Sequence, residues 1–184
     1  MILARTMAPQ LLIARTMARQ LLLARAVVIA TLLIAMTLTP GSVAESAPLA
    51  DPLLNDLVGN WNVNGTVLGK PVHQRVSGSW VLAHQFMLLR FTGSYEANVY
   101  IGYDPPAKRY IAHWLDMFGG SGANAVGFGT PRRTNEIVFH FAYPGQPFET
   151  TFTYSAGTGT WHIHYRYQDK HGVWKTFGDE TLSR

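Results

Sequence analysis

From residue 59 the chain runs Gly-Asn-Trp-Asn-Val-Asn-Gly-Thr-Val, ending at Val67. Odd positions hold Gly, Trp or Val, and even positions hold Asn or Thr. Side chains alternate across a strand, so this period of two predicts a β-strand with one dry face and one wet face. A half-dry strand is not stable by itself, and its apolar face demands partner strands around a common core. Gly59 and Gly65 lie on the Trp61 face. A missing side chain there lets the strand bend sharply or lets a bulky neighbour cross it.

The same theme continues downstream. Ten strand segments are predicted, at about 59–67, 72–82, 85–92, 97–103, 108–116, 123–129, 135–143, 147–154, 160–168 and 173–182. Turn chemistry separates them, including Leu68-Gly69-Lys70-Pro71, Asp104-Pro105-Pro106, Pro144-Gly145-Gln146-Pro147 and Asp169-Lys170-His171-Gly172. No helical pattern intervenes, which predicts antiparallel hairpins in chain order. Closure removes the edges that an open ten-stranded sheet would expose. The fold class is therefore all-β: an antiparallel up-and-down barrel of about ten strands, with a β-sandwich as the alternative. One short helix precedes it. Asp51-Pro52 supplies an N-cap and a proline at the first helical position, and Leu53, Leu54, Leu57 and Val58 follow at helical spacing. Such a helix can plug one end of a barrel.

Several strands have clear faces. Ile137, Phe139, Phe141 and Tyr143 oppose Glu136, Val138 and His140; Phe148, Phe152 and Tyr154 oppose Glu149, Thr151 and Thr153. Trp161, Ile163, Tyr165 and Tyr167 oppose His162, His164, Arg166 and Gln168. Phe86-Met87-Leu88-Leu89 is apolar on both faces, as expected where a helix covers the outside.

Charge divides the chain. Residues 1–44 contain no Asp or Glu and four of the 15 basic residues, leaving eleven basic against eleven acidic residues in 45–184. The net charge of +4 thus belongs to the leader, and the basic balance gives no support to nucleic-acid binding. Arg132-Arg133, the one basic pair in 45–184, is expected in a solvated turn. The uncharged run Ala26 to Leu38, the break at Pro40-Gly41 and the small-x-small triplet Ser42-Val43-Ala44 resemble a secretory signal cleaved before Glu45. The run is too short for a comfortable membrane span, so no stable span is expected after cleavage. An organelle transit peptide and an uncleaved anchor are the rival readings. Leu3-Ala4-Arg5-Thr6-Met7-Ala8 recurs as Ile13-Ala14-Arg15-Thr16-Met17-Ala18, and a start at Met17 would give a leader of ordinary length. The expected organisation is a leader at 1–44, a linker and helix at 45–58 and a barrel at 59–184, exported to the periplasm or beyond. With no cysteine, disulfides, thiol chemistry, a lipid-anchored N-terminus and Cys-ligated metals are excluded. All of the Trp, Tyr and Phe follow residue 44, which suits an aromatic β-core.

Leu57-Val58-Gly59-Asn60-Trp61, with Gly65 after it, resembles the opening Gly-x-Trp strand of the calycin superfamily of lipocalins, fatty-acid-binding proteins and nitrobindins. Trp80-Val81-Leu82, Ile101-Gly102-Tyr103-Asp104, Tyr110 and Trp114-Leu115-Asp116 extend the likeness to a bacterial domain-of-unknown-function family with a lipocalin-like or nitrobindin-like barrel. The resemblance covers most of 53–182 and implies a ten-stranded barrel without an established activity. Nitrobindins hold haem through a histidine near the C-terminus. Here Gly178 to Arg184 contains none and His171 is the last histidine, so the haem function does not carry over and no cofactor is expected.

Motifs for chemistry are sparse. His162-x-His164 places two imidazoles on one strand face about 7 Å apart, a zinc-compatible spacing if a third ligand exists. His140 is a further candidate, and no Asp or Glu at suitable spacing completes the set. The alternative is exposed histidines on the wet side, and no metal site is assigned. Ser77, Ser79 and Ser121 lie in Gly-containing stretches without a nucleophile elbow. Phe118-Gly119-Gly120-Ser121-Gly122 lacks the lysine and helix of a phosphate loop. Asp179 and Glu180 are adjacent on a strand and point to opposite faces, so they do not form a carboxylate pair. No catalytic residue is assigned.

Asp116 shares a face with Trp114, Ala112 and Tyr110. If it faces inward it needs a partner. Arg90, on the face of Phe86 and Leu88, is the expected one; the alternative is a wet strand end for Asp116 and an exposed Arg90. The expected ligand-binding set is Trp61, Trp80, Arg90, Tyr103, Trp114, Asp116, Phe139 and Phe141, with the Trp and Phe residues lining one apolar space and Arg90 and Asp116 supplying its few polar contacts. The leading expectation is an exported protein that binds a small hydrophobic or amphipathic molecule, its polar or anionic end facing Arg90. An enzyme using Arg90, Asp116 and Tyr103, and a barrel filled by its own side chains, are the alternatives.

Overall fold

Alternation does produce strands, and they close on themselves. The computed structural model describes residues 47–119, 125–143 and 146–184. The proposed leader and Gly120, Ser121 and Gly122 lie outside the described residues. The strands are β1 (Gly59–Val67), β2 (Lys70–Val81), β3 (Phe86–Thr92), β4 (Ala97–Asp104), β5 (Arg109–Asp116), β6 (Val126–Arg133), β7 (Glu136–Phe141), β8 (Phe148–Ser155), β9 (Thr160–Gln168) and β10 (Trp174–Ser183). Each pairs antiparallel with the next, and β10 pairs with β1 from Asn62–Ser183 to Val67–Gly178. The result is a closed up-and-down barrel with no free edge. No helix among the described residues is long and apolar enough to cross a membrane.

The inner face carries Trp61, Val63, Val76, Met87, Leu89, Phe91, Val99, Ile101, Ala112, Phe139, Phe152, Ile163 and Leu182, all buried in one cluster. A helix, α1 (Pro52–Asn55), packs its Leu54 into this cluster. Asp51 caps it, its Oδ1 accepting from the Leu54 amide at 2.9 Å. The carbonyls left open at the end of so short a helix need donors. Inward indoles provide them: Trp61 Nε1 donates to the Leu57 carbonyl at 2.9 Å and Trp161 Nε1 to that of Asp56 at 3.1 Å. Trp80 Nε1 donates to Asn55 Oδ1 at 2.7 Å, and the Tyr110 hydroxyl donates to Asp51 Oδ2 at 2.5 Å. Gly78 makes room for the plug, because a Cβ there would stand 2.0 Å from the Leu57 carbonyl oxygen.

Three expectations need correction. β6 runs to Arg133 rather than stopping near residue 129, because a bulge between Pro131 and Arg133 absorbs the proline's missing N–H. Arg132 and Arg133 are therefore exposed strand residues, Arg132 pairing with Glu136 at 3.9 Å, and the turn follows at 134–135. On β3 the residues facing the core are Met87, Leu89 and Phe91, which pair with Ile101, Val99 and Ala97. No described helix covers its outer face. Phe86 lies instead across Gly102, whose absent side chain leaves the ring its place.

Candidate functional site

The barrel is packed at one end and hollow at the other. Next to α1, Trp61, Trp161, Phe152 and Phe139 fill the interior, with Tyr110 edge-on to Phe139 at 6.5 Å between centroids. Beyond Trp114, at the end away from α1, lies a cavity of about 440 Å³. Tyr95, Trp114, Phe118, Phe141, Tyr143, Phe148, Tyr165 and Phe177 wall it, with Val67, Leu68 and Val72. The rings meet edge to face: Trp114 with Phe141 at 6.4 Å and with Tyr165 at 6.0 Å. Such contacts fix the wall's shape without filling the space.

Few polar groups reach this space: Gln74, Ser94, Asp116, Thr150 and Glu180, with the tyrosine hydroxyls. No Lys, Arg or His is among the described residues that line it. Glu180, on β10, is 2% exposed. Its Oε2 accepts from the Tyr165 hydroxyl at 2.8 Å and its Oε1 from Gln74 Nε2 at 3.0 Å. Gln74 and Glu180 lie on the strands either side of β1, opposite Val63 and Gly65, and β10 runs so close to Gly65 that a Cβ there would clash with backbone atoms of Asp179 and Glu180. Burial pushes the Glu180 carboxyl above the ordinary glutamate range, against the opposing pull of its two donors. Burial likewise raises the Tyr165 hydroxyl, and the neighbouring Glu180 adds to the rise. Gln74 Oε1 and Thr150 Oγ1 are buried without a hydrogen-bond partner.

A second polar chain lies nearer the rim. Trp114 Nε1 donates to the Tyr95 hydroxyl at 2.7 Å, and Tyr95 donates to Asp116 Oδ2 at 3.1 Å. Asp116 Oδ1 accepts from the Phe118 amide at 3.0 Å, turning the chain at the end of β5. Burial pushes the Tyr95 hydroxyl well up, with the Asp116 charge adding to it, and burial also raises Tyr143.

The expected residues divide between the two ends. Trp114, Asp116 and Phe141 line the cavity. Trp61 and Trp80 hold α1, and Phe139 is in the packed half. Tyr103 stands at the α1 end, its ring 5.2 Å from Tyr110, so these aromatics do not line a single space. Arg90 is exposed on the outer face of β3, opposite Asn98, and does not pair with Asp116. Arg90, Asp116 and Tyr103 therefore form no common constellation. Glu180, Gln74, Thr150 and Tyr165 were not expected in the site. Three of these polar residues had a signal, namely apolar or glycine positions two residues away on both sides: Val72 and Val76 around Gln74, Phe148 and Phe152 around Thr150, Gly178 and Leu182 around Glu180. Tyr95, between β3 and β4, had none.

On the outer face, Asp179 supplies the carboxylate that spacing did not reveal. Its Oδ1 lies 3.0 Å from His162 Nε2 and 2.9 Å from His164 Nδ1. Among the described residues no group of three His, Cys, Asp or Glu has the arrangement of a metal site. His140 does not join them. It meets Glu149 at 3.2 Å, beside the Arg166–Glu149 pair.

No protein-family model matches the chain, and no curated protein matches it. Among solved structures, the S-type phycobiliprotein lyase from Guillardia theta is similar, with a TM-score of 0.49 and 12% identity. The match covers 71% of this chain and 89% of that one.

Proposed function

We propose that this barrel binds one small, largely apolar molecule in the cavity away from α1. The observation that carries the reading is a space of about 440 Å³ walled by aromatic rings, with a few fixed polar groups set into it. Ligand sites have that composition, whereas a barrel stabilised only by its own side chains would be filled throughout, as it is beside α1. The acid-free, hydrophobic leader and Ser42-Val43-Ala44 support export, so the molecule is one met outside the cytoplasm. The opening Gly-x-Trp strand and the later Trp80, Tyr103 and Trp114 motifs support kinship with the bacterial lipocalin-like family named above.

The test is titration with N-phenyl-1-naphthylamine, a neutral dye that brightens in apolar surroundings. Saturation at one equivalent per chain is expected, with loss of binding in Val72→Trp, whose larger ring takes up cavity space while the barrel retains its circular dichroism. Absence of a saturable signal, or an unchanged signal in a folded Val72→Trp, overturns the reading.

A further inference from the structure

Glu180 is a carboxylate inside an apolar barrel, and no described cation faces it. Burying a charge in this way is costly unless it is paired. Tyr165 and Gln74 each give it one hydrogen bond, which leaves a carboxylate with accepting capacity to spare. In the same cavity wall two further oxygens are buried and unpartnered: Gln74 Oε1, which can only accept, and Thr150 Oγ1, which can accept or donate. Buried polar atoms in folded proteins nearly always find partners, so the spare capacity of Glu180 and the open Gln74 Oε1 point to a donor that no described residue supplies, with the Thr150 hydroxyl free to accept from it as well.

Resting on the reading of the cavity as a binding site, we propose that the molecule held there is an apolar amine, its ammonium group set against Glu180 and within reach of Gln74 Oε1 and Thr150 Oγ1. An ammonium carries several N–H donors and a positive charge; the described lining residues include no cation, and the Tyr165 hydroxyl is already spent on Glu180. Burial raises the Glu180 carboxyl above its ordinary range, and a bound cation acts in the opposite sense, holding the carboxylate ionised. A fatty-acid anion is the wrong partner. It would meet Asp116 and Glu180 with no cation on the wall, since Arg90 lies outside the barrel.

Competition against the bound dye decides this, using three probes with one alkyl body: decylamine, decanol and decanoate at pH 7.5. Decylamine is expected to displace the dye at concentrations about tenfold or more below decanol, with decanoate the weakest. In Glu180→Gln, decylamine and decanol should compete within about threefold of each other. Decanoate matching decylamine in the wild-type protein overturns the proposal and needs no variant to fold. So does a folded Glu180→Gln that keeps the full amine preference. A protein that does not bind the dye at all removes the binding site and this proposal together, whereas dye binding without amine preference removes this proposal alone.

Discussion

Replacing Asp116 by alanine strips the acceptor from the Tyr95 hydroxyl, which also accepts from Trp114 Nε1 at 2.7 Å. An unpaired hydroxyl in an apolar site costs about 1–3 kcal/mol. The Phe118 amide also loses its acceptor, but it is exposed and water replaces it. Asp116→Ala should therefore cost about 2 kcal/mol. Tyr95→Phe removes the hydroxyl and leaves Trp114 Nε1 without an acceptor, at a cost of about 1 kcal/mol. The two changes remove the same bond, so the double variant should lose about 2 kcal/mol rather than their sum of about 3 kcal/mol, a coupling near 1 kcal/mol. Arg90→Met is the control: the side chain is exposed on the outer face, and its removal should change stability by no more than about 0.5 kcal/mol. Urea denaturation of the purified barrel, read by tryptophan fluorescence with unchanged m-values, measures all four. Strict additivity of Asp116→Ala and Tyr95→Phe would refute the Trp114–Tyr95–Asp116 chain. A cost of about 3 kcal/mol for Arg90→Met would instead restore a buried Arg90–Asp116 pair.

Two further outcomes are expected. Folded Glu180 holds its proton to higher pH than the unfolded chain does, so its stabilising contribution is complete below the ordinary glutamate range and is lost as pH rises through the raised folded value. Unliganded wild-type protein should accordingly lose ground to Glu180→Gln in urea melts taken from pH 4 to pH 8, and a difference that does not change with pH would contradict the burial of that charge. At the other end of the barrel, Asp51→Ala removes the helix cap and the acceptor of the Tyr110 hydroxyl together and should cost about 2–3 kcal/mol in the same assay, against about 1 kcal/mol for Tyr110→Phe; equal costs would show that the cap contributes nothing.

Strand identity and facing are local properties of a period of two, and they are legible in the chain alone. Gly59–Val67, the aromatic faces of β7, β8 and β9 and the Asp51-Pro52 start of α1 all stand where the alternation and capping residues put them. That Asp116 shares the inner face with Trp114 follows from the same rule. Where the alternation fails, so does the inference. β3 is apolar on both sides, and only its pairing with β4 decides that Met87 and Leu89 go in while Arg90 stays out. Pro131 looks like a strand end until a bulge in the β6–β7 ladder accommodates it.

Partners across the barrel were beyond local reading. Gln74 and Glu180 are 106 residues apart and meet only because β10 closes onto β1, beside which β2 already lies, with Gly65 letting the β10 backbone approach closely. Asp116 faces Tyr95 rather than Arg90 because Tyr95 comes from the β3–β4 connection, where no periodicity orients a side chain. Which end is plugged and which is hollow is a matter of volume summed over ten strands at each level, together with the seat that the indoles of Trp61, Trp80 and Trp161 make for α1. The period of two determined which residues face inward. Closure and register decided which of them meet, and so placed a carboxylate that no described cation faces in the space left unfilled.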